Sequence, residues 1–131
     1  MLKGLHHVGI AVSDLEAALS LYVETLGCTL RRRDRTDNLE FALLDSGGTE
    51  LELLRADDPE SAIGKFVADR GPGLHHLAYC VSDLESERAR LVGEGFAQSG
   101  EVRVGVHGTA IVFFHPKTFG GVLTELVQVH D

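Results

Sequence analysis

The chain has 131 residues, of which 44% are hydrophobic, and a formal net charge of −8 at pH 7. That is one domain's worth of sequence, enough to bury a core without disulfides or a structural metal. The acidic balance and the lack of a basic tail speak against a nucleic-acid partner, which requires a Lys/Arg surface.

No apolar run approaches the ~18 residues that span a bilayer, and residues 1–7 lack a signal-peptide layout. No membrane partner and a cytoplasmic location are therefore expected. Cys28 and Cys80 form neither a disulfide framework nor a CxxC motif, and read as two small buried hydrophobes.

In chain order, residues 5–12 are rich in apolar and β-branched side chains and predict a strand. Ser13-Asp14-Leu15-Glu16 follows the S-x-x-E capping-box pattern, so a helix is expected to about Leu26 with Leu15, Leu19, Tyr22, Val23 and Leu26 as its apolar stripe. Gly27 is placed to close it. Strands follow over 28–34, 38–44 and 49–55, the last two joined by a turn at Ser46-Gly47-Gly48. The run Arg31-Arg32-Arg33-Asp34-Arg35 reads as a solvated edge strand, whose charges discourage aggregation. Asp57-Asp58-Pro59 breaks the pattern, and a short helix is expected over 61–69.

The chain then repeats itself. Gly73-Leu74-His75-His76-Leu77-Ala78-Tyr79-Cys80-Val81-Ser82-Asp83-Leu84-Glu85 restates the segment from Gly4 to Glu16, with both histidines and the S-x-x-E box in register. A second helix runs to about Gly93, and strands are expected over 96–99, 109–114 and 122–129, with turns at 105–108 and 116–121. Gly47-Gly48-Thr49-Glu50-Leu51-Glu52-Leu53-Leu54 is matched by Gly120-Gly121-Val122-Leu123-Thr124-Glu125-Leu126-Val127. The expected fold is α+β: two tandem βαβββ modules, 1–56 and 73–131, joined by a short helical linker over 57–72 in one domain. They would form a cupped eight-stranded mixed sheet with the helices outside.

Each module opens on a His-bearing strand and closes on a Glu-bearing one. If like positions converge about a pseudo-twofold axis, His7, His76, Glu52 and Glu125 meet. Two neutral imidazoles and two carboxylates suit a divalent ion such as Co²⁺, Mn²⁺, Ni²⁺, Zn²⁺ or Fe²⁺. Side chains alternate along a strand, so only one His of each pair can face a common cavity, whereas Glu50 and Glu52 share a face and either could reach inward. Lys117, Arg103 and the loop 105–108 are candidates for phosphate or carboxylate contacts.

These motifs, together with Ser61-Ala62-Ile63-Gly64-Lys65-Phe66 and Phe114-His115-Pro116-Lys117, resemble the vicinal oxygen chelate superfamily and, within it, the methylmalonyl-CoA epimerase family. The resemblance covers almost the whole chain. It implies a metal, Co²⁺ foremost, held by His7, His76, Glu125 and Glu52, and leaves His6 and His75 with structural roles. It also implies epimerisation of (2R)/(2S)-methylmalonyl-CoA through an enolate, with Glu40 and Glu125 as the two bases, an acyl-CoA substrate and a homodimer. A carboxylate in a partly desolvated cleft would have its pKa raised toward the working range. A glyoxalase I-like lyase and a metal-free ligand-binding relative are the alternatives. An extradiol dioxygenase fits the short chain poorly.

Overall fold

A computed structural model describes residues 1–36 and 38–130. The chain divides into two compact units, one formed by Met1–His6 with His76–Asp131 and the other by His7–His75.

In the unit from His7 to His75, strands β1 (Leu5–Ala11), β2 (Thr29–Thr36), β3 (Leu39–Asp45) and β4 (Glu50–Ala56) lie in the order β2-β3-β4-β1. β1 runs parallel to β4, and the other pairs are antiparallel. Helix α1 (Leu15–Leu19) covers one face, where Leu15 and Leu19 pack with Ile10, Val12, Ala42, Leu44 and Leu53. Alternation along each strand then sends His7, Gly9, Glu50, Glu52, Phe41 and Leu43 to the opposite face. β2 is an exposed edge carrying the arginine run, as expected for a solvated strand.

Helix α2 (Ala62–Arg70) starts at Ser61, whose hydroxyl accepts from the Gly64 N–H at 3.2 Å. It presses against the preceding turn: a Cβ on Gly64 would lie 2.2 Å from the Asp58 carbonyl oxygen.

In the other unit, β5 (Gly73–Val81), β6 (Gln98–Val104), β7 (Ala110–Phe114) and β8 (Thr124–Gln128) take the order β5-β8-β7-β6. β5 is parallel to β8, and β8-β7-β6 are antiparallel. Helix α3 (Leu84–Gly93) covers the face bearing Val81, Val112, Phe114 and Leu126. The opposite face carries His76, Ala78, Ile111, Phe113, Glu125 and Val127. Ahead of β1, the Lys3 N–H donates to the Cys80 carbonyl and the Cys80 N–H to that of Gly4, each at 2.8 Å.

Local details differ from the sequence reading. Both repeat helices are capped by the aspartate of Ser-Asp-Leu-Glu and not by the serine. Asp14 accepts from the Ala17 N–H and Asp83 from the Ser86 N–H, both at 3.1 Å, which starts each helix one residue later. The first helix does not continue in α form to Leu26. It turns into a π-helix over Ser20–Thr25, with the Leu26 N–H reaching back to the Leu21 carbonyl. The wider turn keeps Tyr22 and Val23 against the core but leaves Leu26 63% exposed. β6 starts and ends later than the sequence suggested, because its polar, glycine-containing stretch hides a register shift between Ser99 and Arg103. Cys28 and Cys80 are free thiols, half-buried and not fully buried. Among the described residues no helix is long and apolar enough to cross a membrane.

Candidate metal and acid–base site

Each unit buries a histidine and a glutamate beside one another. In the unit from His7 to His75, the parallel register sets Gly9 of β1 against Glu52 of β4, so His7, two residues away, shares the Glu52 face. The His7 Nε2 lies 3.6 Å from a Glu52 carboxylate oxygen, with the residues 1% and 5% exposed. In the other unit, Ala78 of β5 stands against Glu125 of β8, and His76 occupies the corresponding position. The His76 Nε2 lies 3.0 Å from the Glu125 carboxylate, and both residues are 4% exposed.

Acidic side chains are almost never fully buried without a partner. The same partnership recurs in both repeats. The Phe113 ring meets His76 edge-on, with centroids 5.3 Å apart, and stands directly opposite Glu125 on β7.

The first histidine of each repeat has other company. The His6 ring packs edge-on against His107 at 4.6 Å, and the His75 ring against Phe66 at 5.0 Å.

Glu40 is placed elsewhere. On β3, Leu43 faces Glu52 across the strand pair, whereas Glu40 faces Arg55. Its side chain therefore leaves the helix-covered face, opposite that of Glu52. The Arg55 Nε donates to the Glu40 carboxylate at 3.0 Å, and an Arg33 nitrogen lies 3.5 Å from it. The hydrogen bond from Arg55, reinforced by its charge and that of Arg33, holds the Glu40 carboxyl below its ordinary pKa. The rise expected for a poised base is absent. The inward position next to it on β3 is taken by Phe41, fully buried beneath the Arg32 guanidinium at 5.3 Å.

Glu50 shares the Glu52 face and is half-buried. Lys117 is exposed on a 3₁₀ turn over Pro116–Thr118. Arg103 is exposed on β6.

Residues 6–113 match the Glyoxalase/Bleomycin resistance protein/Dioxygenase superfamily. The chain belongs to that superfamily. Among its relatives, an ethylmalonyl-CoA/methylmalonyl-CoA epimerase of Cereibacter sphaeroides is 39% identical, over 98% of this chain and all of the relative. The human mitochondrial methylmalonyl-CoA epimerase is 34% identical, over 95% of this chain and 73% of its own length.

The crystal structure of methylmalonyl-CoA epimerase from Mycobacterium tuberculosis superposes with a TM-score of 0.91 at 40% identity, covering 99% of this chain and 90% of that one. A methylmalonyl-CoA epimerase in complex with methylmalonyl-CoA and NH4+ superposes at 0.90 with 34% identity, covering 98% and 95%. Within the superfamily the chain thus falls in the methylmalonyl-CoA epimerase family, and the two-module α+β fold is the one these epimerases share. Members of the superfamily typically bind a divalent metal, and each unit's buried His–Glu pair offers imidazole and carboxylate donors of the kind such an ion takes.

Proposed function

We propose that the protein epimerises methylmalonyl-CoA at C2, with His7, Glu52, His76 and Glu125 holding one divalent cation. The observation that carries this reading is the duplicated buried His–Glu pair, in a chain 39% identical to an acyl-CoA epimerase along its whole length. The donor set fits such an ion. Two carboxylates balance its charge, and imidazole with carboxylate suits borderline metals, Co²⁺ foremost. When bound, the metal would act as a Lewis acid toward negative charge developing on the thioester oxygen.

The chain's own residues do the rest. Glu125 is assigned the proton at C2 on one face, through the carboxylate oxygen nearer the His76 Nε2. Burial and the low local dielectric keep water from competing for that proton. The reaction also needs a proton on the other face. Glu40 is turned away and neutralised by Arg55, so we assign that proton to Glu50, which shares the Glu52 face two residues further back on β4. His7 and His76 are ligands in this scheme and transfer no proton.

The reading is tested by following C2 proton exchange on (2R)- and (2S)-methylmalonyl-CoA in D₂O by NMR, beside a glutathione hemithioacetal. Exchange on the CoA thioesters alone is expected. Turnover of the hemithioacetal alone would replace this reading with a glyoxalase-type lyase.

A further inference from the structure

Arg103 stands apart from nearly every other arginine of the chain. All but Arg70 and Arg103 hold a carboxylate. Arg103 has no carboxylate partner among the described residues. It lies on β6, opposite Ile111 of β7, so its side chain shares the face of Phe113, Glu125 and His76. Ser99 stands opposite Phe113 and Arg103, four residues on, opposite Ile111, so the two-residue register shift between them leaves Arg103 on that face. The guanidinium carbon lies 5.3 Å from the centroid of the Phe113 ring, which also meets the His76 ring edge-on.

An arginine laid on an aromatic face keeps its plane fixed and its N–H fork open at the edge. That is a prepared site for a planar anion, and for a carboxylate above all. It stands one aromatic ring away from the His76–Glu125 pair. The substrate class supplies such an anion close by, because a 2-substituted malonyl thioester carries a free carboxylate on the reacting carbon itself. The phosphates of CoA are separated from that carbon by the whole pantetheine chain.

We propose that Arg103 binds the free carboxylate of the acyl group and so selects malonyl-type thioesters over simple acyl thioesters. This rests on the acyl-CoA reading above and names the residue that sets its specificity. Arg103 is exposed and carries no ion pair among the described residues, so Arg103→Gln is expected to fold with an unchanged melting temperature. Arg103→Lys keeps the charge but loses the fork.

The test is calorimetric binding of methylmalonyl-CoA, propionyl-CoA and free CoA to metal-loaded wild type and both variants. In wild type, methylmalonyl-CoA binds more tightly than propionyl-CoA. In Arg103→Gln its affinity falls about tenfold to a hundredfold, the loss of a charge-assisted hydrogen bond. Propionyl-CoA and CoA are unaffected, and Arg103→Lys lies between. An unchanged affinity for methylmalonyl-CoA overturns the proposal. So does an equal loss for all three ligands, which would move the contact to a CoA phosphate. A wild type that shows neither preference nor C2 exchange overturns the epimerase reading itself, and this proposal with it.

Discussion

Glu40 and Glu125 are both glutamates on central strands, and the structure predicts opposite consequences when each becomes glutamine. Glu125 is buried with its carboxylate 3.0 Å from the His76 Nε2. Glu40 sits three residues along β3 from Leu43, the residue facing Glu52, a distance of about 10 Å. Its side chain also leaves the other face of the sheet, where Arg55 and Arg33 hold its carboxyl below its ordinary pKa. A carboxylate so placed cannot reach a group bound at Glu52, and its weakened basicity would make it a poor proton acceptor.

A positioned general base contributes typically 10²- to 10⁴-fold. Glu125→Gln should therefore lower C2 exchange by about that factor for one epimer at least. Glu40→Gln should leave both epimers within about twofold of wild type, while lowering the melting temperature because Arg55 and Arg33 lose a partner. The assay is NMR deuterium incorporation from each epimer separately, with metal content measured on the same samples. That control separates a lost base from a lost ligand. A Glu40→Gln defect as deep as that of Glu125→Gln, at full metal content, would refute the face assignment.

Two further outcomes follow from local geometry. Gly64→Ala should cost about 1–3 kcal/mol in urea unfolding, because the new Cβ would stand 2.2 Å from the Asp58 carbonyl oxygen and 2.7 Å from the Pro59 Cα. An ordinary helical Gly→Ala change gains about 1 kcal/mol, so even the sign is diagnostic. Asp45 caps its turn by accepting from the Gly47 and Gly48 N–H groups, each at 2.9 Å, and from Arg31. The Gly48 bond, with Arg31 and Gly47, lowers its pKa from 3.8 to about 2. Its stabilising contribution is then complete above about pH 4 and disappears as pH falls through about 2. Stability curves of wild type and Asp45→Asn should differ at pH 6 and converge near pH 2. Parallel curves through that window would exclude the cap.

Much of this is legible in the sequence itself. The repeated His-His strand and the repeated Gly-Gly turn with its Glu-bearing strand mark the modules, and alternation limits each pair to one inward histidine. His7 and His76 are those two, each buried beside a glutamate at the far end of its own module. What escaped depends on pairing between strands, which one strand's sequence does not carry. Glu40 and Phe41 are adjacent, and either fits a half-buried strand. Only the register of β3 against β4 shows that Phe41 points inward and Glu40 meets Arg55.

The Arg103 placement over Phe113 was hidden for the same reason, since it depends on how β6 pairs with β7. The π-helix at Ser20–Thr25 escaped because its apolar residues also satisfy an α-helical stripe up to Leu26. In the Ser-Asp-Leu-Glu motif, serine and aspartate are comparable caps, and geometry alone chose Asp14 and Asp83.

The central claim is that the two His–Glu pairs hold one metal on which epimerisation depends. The most direct measurement is C2 proton exchange on methylmalonyl-CoA by NMR before chelation, after it, and after Co²⁺ is restored, with bound metal counted at each stage. The account predicts one ion per chain, exchange reduced at least about a hundredfold without it, recovery on restoring Co²⁺, and neither binding nor recovery in His76→Ala. Full exchange from protein freed of metal would contradict it.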